Sequence, residues 1–250
     1  MKTLLSIDWD YFVPEHHELD MSHCESQFFI NVMWMMRPEA LKAMTLDVRK
    51  GFWDTIREKL RVVSNEIRVS ESHMMAYWMV QDVDAVIMFD THHDMWPISN
   101  GVHCADWLKL AKIQNPDLEI HWVKPTHTLH SLTDMELNKK TKHKVFEITT
   151  EDFKETCWGD YEITTVHACR SGAWTPPWFD KKFQSFIRSS GLELKIEDSE
   201  AQQGLDGYKL RWSKADFEQM KKQIKQFEET KRNWMEKEAN VRAQRNAAIQ

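Results

Sequence analysis

Asp90, His92 and Asp94 stand as D-x-H-x-D directly behind the apolar run Ala85-Val86-Ile87-Met88, and Asp8 and Asp10 stand as D-x-D behind Leu4-Leu5-Ser6-Ile7. In an extended segment alternate side chains point the same way, so either spacing can present its ligands to one point. His73, shortly after the run Glu66–Val69, completes the set. Hard carboxylates mixed with neutral imidazoles suit Mn²⁺, and after it Fe²⁺, Co²⁺ or Zn²⁺; the lack of thiolates argues against a structural zinc site. Two ions held by shared carboxylates can acidify a water between them, giving hydroxide near neutral pH. A further carboxylate can orient that hydroxide, and a nearby histidine can protonate a departing amine. His103, in Ser99-Asn100-Gly101-Val102-His103, is the candidate for that last role.

Each signal has an ordinary reading beside it. An isolated D-x-D at a strand end is most often a turn or cap carboxylate. A single histidine such as His73 is more often an unremarkable, partly buried side chain. The argument therefore rests on three separate stretches reaching one edge of the fold, and so on the elements that carry them.

Short β-type runs alternate with helical patterns along the chain. The predicted strands are Thr3–Ile7, Glu66–Val69, Ala85–Phe89, Leu118–Val123, Lys144–Ile148, Glu162–Cys169 and Leu192–Ile196. Helical periodicity falls at Glu25–Met36, Pro38–Val48, Trp53–Leu60, Ser72–Val80, Ala105–Ile113 and Lys181–Ser189. Strands separated by helices require crossover connections, which predicts a three-layer α/β fold around a mostly parallel sheet. Ligands of such sheets collect beyond the carboxyl ends of the strands, where all six candidate residues fall. Residues 1–212 read as this α/β domain and 213–250 as an appended amphipathic helix. In the latter Phe217, Met220, Ile224, Phe227, Trp234 and Val241 punctuate a background rich in lysine and glutamate, from an N-cap at Ser213 to about Ala243. That helix is expected to pack on its own domain, with homo-oligomer formation or a partner as the alternatives.

The formal net charge of -6 gives no broad attraction to nucleic acid or anionic lipid. The start, Met1 to Asp8, reaches a carboxylate too early for a signal peptide, and no apolar run spans a membrane. Cys24, Cys104, Cys157 and Cys169 are scattered without a C-x-x-C pair, as in a reduced, cytoplasmic protein. The 12 tryptophans suit core packing first and the lining of a pocket for an extended substrate second.

The three ligand stretches resemble those of the arginase–agmatinase superfamily, whose members carry an H, a D-x-H-x-D and a D-x-D around a dimanganese centre. More specifically, Phe89-Asp90-Thr91-His92-His93-Asp94, Ala105-Asp106-Trp107-Leu108, His121-Trp122-Val123-Lys124-Pro125 and Arg170-Ser171-Gly172-Ala173-Trp174-Thr175-Pro176 resemble an arginase-like family that includes peptide arginases. The resemblance covers roughly residues 1–180. It implies that Asp90 and Asp8 bridge two Mn²⁺, with Asp94 and His73 completing one shell and His92 and Asp10 the other. It further implies that Asp94 holds the hydroxide, that His103 shuttles the proton, and that arginine within a precursor peptide becomes ornithine with release of urea. The order departs from arginase, because D-x-D opens this chain instead of coming last, as a circular permutation or a rewired sheet would produce. No carboxylate for the guanidinium aligns. Glu25 is the candidate, with an exposed first-turn residue as its ordinary reading. Arg170 and Ser171 end a predicted strand on the ligand side, where they would contact substrate or, for Arg170, serve a structural ion pair. A small-molecule ureohydrolase or amidohydrolase, a non-catalytic peptide binder and a phosphoesterase remain as alternatives.

Overall fold

The strands form where burial on both faces demands apolar side chains, and the most central ones read as nearly uninterrupted apolar runs. In the computed structural model, which describes residues 1–14, 30, 33–37, 40, 44–48, 51–97, 101–132, 142–198 and 210–247, the sheet has eight strands. They are β1 (Lys2–Asp8), β2 (Arg61–Val62), β3 (Glu66–Ser70), β4 (Ala85–Phe89), β5 (Glu119–Lys124), β6 (Val145–Thr149), β7 (Glu162–Cys169) and β8 (Glu193–Ile196). Their order is β6-β5-β4-β1-β7-β3-β8, with β2 beside β7, and every pairing among them is parallel. The seven predicted strands are all present within a residue or so of the expected bounds. Only β2, two residues long, is too short to leave a periodic signal.

Helices cover both faces of the sheet. On one side α1 (Phe52–Lys59), α4 (Thr150–Glu155) and α5 (Asp180–Ser189) supply Trp53, Ile56, Phe153, Phe183, Phe186 and Ile187. They pack on Leu5, Ile7, Ile87, Phe89 and Val166 of the strands. On the other side α2 (Ala76–Met79) and α3 (Trp107–Gln114) bring Ala76, Met79, Trp107, Leu108 and Ala111 against Leu4, Val86, Met88, Ile120 and Trp122. Consecutive strand residues therefore serve opposite cores, as the two-residue strand period requires.

Two helical expectations change. The pattern over Ser72–Val80 is not one helix but a 3-10 turn at His73–Met75, the short α2, and another 3-10 turn at Val80–Asp82. At Pro38–Val48, residues 44–48 have no regular structure, so any helix ends before Met44. Helix α4 is not evident from periodicity, although Thr149 and Asp152 form a capping box at its start. A last helix, α6 (Lys214–Ala247), begins with a similar exchange: the Ser213 backbone N–H donates to Asp216 Oδ2, and the Asp216 N–H donates to Ser213 Oγ. Its first turns pack through Met220, Phe217 and Ile224 into a third cluster with Val13, Trp34, Ala173 and Trp212. No helix among the described residues is long and apolar enough to cross a membrane.

Candidate metal centre

Strand register brings the candidate residues to one level. Ile7 lies opposite Phe89, while Asp8 and Ser70 both lie opposite Cys169. The chain leaves β1, β4, β7 and β3 side by side, so the next few residues of each face a common edge. β1 sits at the centre of this edge, where successive connections depart to opposite sides, the position at which doubly wound sheets bind ligands.

The local geometry differs from the extended segments expected. Asp8 closes β1, but Asp10 lies in a 3-10 turn, Trp9–Phe12, that Asp8 itself caps through a bond from the Asp10 N–H to Asp8 Oδ1. Residues after Phe89 bend instead of continuing the strand, and Asp94 takes the left-handed conformation at φ 50°. Turns, not the strand pleat, therefore aim the side chains. The two-residue spacing survives because it also suits a carboxylate that accepts a bond from the backbone two residues on.

One oxygen of each of three carboxylates is tied to a backbone amide. Asp8 Oδ1 accepts from Asp10 N–H at 3.1 Å, Asp90 Oδ1 from His92 N–H at 2.7 Å, and Asp10 Oδ1 from Thr91 N–H at 3.4 Å. Their other oxygens turn inward. His73 Nδ1 lies 2.8 Å from Asp90 Oδ2, 2.8 Å from Asp94 Oδ2 and 3.3 Å from Asp8 Oδ2. His92 Nδ1 lies 2.9 Å from Asp10 Oδ2 and 3.8 Å from Asp90 Oδ1. Among the described residues two triads that could hold a metal ion result, Asp8–His73–Asp90 and Asp10–Asp90–His92, and Asp90 belongs to both.

Three of these inward atoms, Asp10 Oδ2, His73 Nδ1 and Asp90 Oδ2, are buried without an aligned hydrogen bond. A buried polar atom left in that state costs about 1–3 kcal/mol, more when charged. Ligand atoms crowded this closely are ones that a divalent cation in each triad could satisfy. Electrostatics agree. Burial, followed by the charges of neighbouring aspartates, pushes the Asp8 and Asp90 carboxyls well above the usual carboxylate range. For Asp10 burial acts upward too, but the contact with His92 outweighs it and the group is lowered. Burial alone would lower His73, yet Asp94, Asp8 and Asp10 raise it. A cation would remove this carboxylate repulsion.

Supporting groups fix the ligands. His73 Nε2 and Ser6 Oγ are 2.8 Å apart. Trp107 Nε1 donates to Asp94 Oδ2 at 2.5 Å, and Trp122 Nε1 donates to the Asp90 carbonyl at 2.9 Å. Toward solvent, His92 is flanked by the rings of Trp174 and His130 at 4.7 and 5.1 Å. Ser6 and His167 escape the sequence reading although a signal is there. Each is a polar residue at a buried position of a strand that otherwise needs apolar side chains.

The remaining candidates are placed differently. His103 is exposed at the approach to α3, where its N–H donates to Asp106 Oδ1 at 2.9 Å; the carboxylate–imidazole cluster is built without it. Arg170 is buried in an ionic network, bonding Glu71 through Nε at 2.7 Å and Asp180 Oδ2 at 3.2 Å, while Arg211 takes Asp180 Oδ1 at 2.6 Å. The structural alternative is thus the one its contacts fit. Ser171, at φ 52°, bends the chain after β7 and directs its N–H to the Glu71 carbonyl. Glu25 lies outside the described residues. No family model, curated protein or solved structure matches this chain, so the assignment of a function rests on the geometry of its own residues.

Proposed function

We propose that this chain is a dimanganese hydrolase of the arginine guanidinium group, converting arginine to ornithine within a precursor peptide and releasing urea. The observation that carries the reading is the pair of buried ligand triads joined through Asp90, the arrangement a bridging carboxylate gives to two neighbouring ions. Asp8, His73, Asp90 and Asp94 would hold one ion, and Asp10, His92 and Asp90 the other. Oxygen-rich sets with one imidazole each favour Mn²⁺ over thiophilic metals. Two such ions supply a water acidified to near neutrality as nucleophile.

The chain's own residues would do the rest. Asp94, held by Trp107, would accept a hydrogen bond from that water. Water adds to the guanidinium carbon, the bond from carbon to the side-chain nitrogen breaks, and urea leaves; both water protons end on that nitrogen, the first as the bond breaks and the second as the amine becomes ammonium. His103, which lies in the segment leading into α3, is the proposed donor of that proton. The half-buried Trp174 and His130 beside His92 give a cationic planar group an aromatic approach. The Arg170 network leaves Arg170 a scaffold role in this scheme.

The test is urea release from an arginine-containing peptide and from free arginine, with metal analysis of the same preparation. About two manganese ions per chain and urea from the peptide are expected. Urea from free arginine alone would shift the assignment to a small-molecule ureohydrolase. Metal without urea from either substrate would overturn the arginase reading, and peptide binding without metal would make the protein a binder.

A further inference from the structure

The bond between His73 and Ser6 is the first link of a buried chain that runs away from the ligands. Ser6 Oγ lies 3.0 Å from His167 Nδ1, and His167 Nε2 lies 2.8 Å from Ser70 Oγ. Ser70 Oγ donates to the Ser72 carbonyl at 2.8 Å. Sheet register makes this possible, since Ser6 and His167 are direct neighbours on β1 and β7. Ser6, Ser70 and His167 are completely buried.

The far end of the chain dictates the direction of every bond in it. A carbonyl only accepts, so the single Ser70 proton is committed to Ser72, and Ser70 can only accept from His167. His167 therefore carries its proton on Nε2. A neutral imidazole has one donor and one acceptor, so Nδ1 accepts, and the Ser6 proton goes to it. Ser6 is left to accept from His73 Nε2–H. The nitrogen of His73 left over is Nδ1, which faces Asp8, Asp90 and Asp94: it holds a proton among bare carboxylates and exchanges it for a metal ion. His167 is completely buried with two serine hydroxyls as its ring partners and no carboxylate bonded to it, so the ring is neutral.

We propose that Ser70 and His167 are positioning residues that set, through Ser6, the tautomer in which His73 offers Nδ1 to a metal ion. This inference rests on the metal reading of the site. Partners of this outer kind are commonly worth 10–100-fold in metal affinity.

Two readouts test it. Long-range ¹H–¹⁵N correlation of the histidine rings, in metal-free and Zn²⁺-loaded protein, should show His167 protonated on Nε2 and bare on Nδ1. A proton on His167 Nδ1 would reverse the chain and overturn the proposal. Mn²⁺ affinity, measured by competition with a chelating dye, should fall about tenfold or more in Ser70→Ala and recover in Ser70→Thr, which keeps the hydroxyl. Unchanged affinity in a folded Ser70→Ala protein would also overturn it. Should either variant fail to fold, the wild-type spectrum decides alone. A wild-type chain that binds neither Mn²⁺ nor Zn²⁺ would refute the metal reading, while the tautomer in the metal-free protein would still report the direction of the chain.

Discussion

Replacing Asp90 by asparagine keeps the shape of the side chain but removes the charge that both ligand triads share. Asp90→Asn is expected to abolish turnover and to lose bound metal, because a neutral amide is a poorer ligand for a hard cation. Metal analysis of the purified variant checks this, and normal metal content would contradict the assignment. Trp107→Phe keeps the ring yet removes the donor to Asp94. It is expected to weaken Mn²⁺ binding about 10–100-fold while leaving the fold intact, read by dye competition beside a circular dichroism spectrum. At this scale the sequence is informative about the ligands and silent about their supports. Carboxylates and imidazoles at D-x-D and D-x-H-x-D spacing are visible as a string. That Trp107, Ser6 and His167 serve them depends on contacts across 13, 67 and 161 positions of chain, which no local pattern encodes.

Among the elements, the turn after β7 shows how a small residue can be required by its neighbours. A Cβ on Gly172 would lie 2.1 Å from Glu71 Oε1 and 2.8 Å from Arg211 Nη1. Both belong to the ionic network that joins the ends of β3 and β7 to α5 and to the approach of α6. Gly172→Ala must displace one of these buried groups, with an expected loss of about 1–3 kcal/mol of stability, measurable by urea denaturation. Arg170→Met would remove the buried cation shared by Glu71 and Asp180, of which Asp180 keeps Arg211, and should cost about 3–5 kcal/mol. A cost near zero would show that the network contributes little beyond packing. The strands are legible because two-sided burial leaves continuous apolar runs such as Ala85–Phe89. The region Ser72–Val80 reads as one helix because its apolar spacing is helical, while the chain must turn sharply to return His73 to the strand ends.

For the whole molecule, the buried carboxylates couple stability to pH and to metal. Asp8 and Asp90 have pKa values raised in the folded chain, so the folded state binds more protons than the unfolded one above the ordinary carboxylate range. His73, also raised, adds in the same sense above the ordinary histidine value, while the lowered Asp10 acts in the opposite sense only below about 4. The metal-free protein should therefore lose stability as pH climbs from the unfolded carboxylate value of about 4 toward neutrality. Metal requires the deprotonated ligands, so the rise in melting temperature given by Mn²⁺ should grow from about pH 5 to about pH 8. Thermal melts with Mn²⁺ and with chelator at each pH measure this difference, and a difference independent of pH would count against the ligand set. By itself the sequence determined which side chains could bind a cation, that the strands are parallel and joined by helices, and that the ligand stretches follow strands. Local composition and period suffice for those. Only the tertiary structure decided that β7 inserts between β1 and β3, and so brought His167 beside Ser6 and closed Arg170 onto Glu71. Strand order is set by which apolar faces pack best over long separations, and that competition leaves no mark on any one segment.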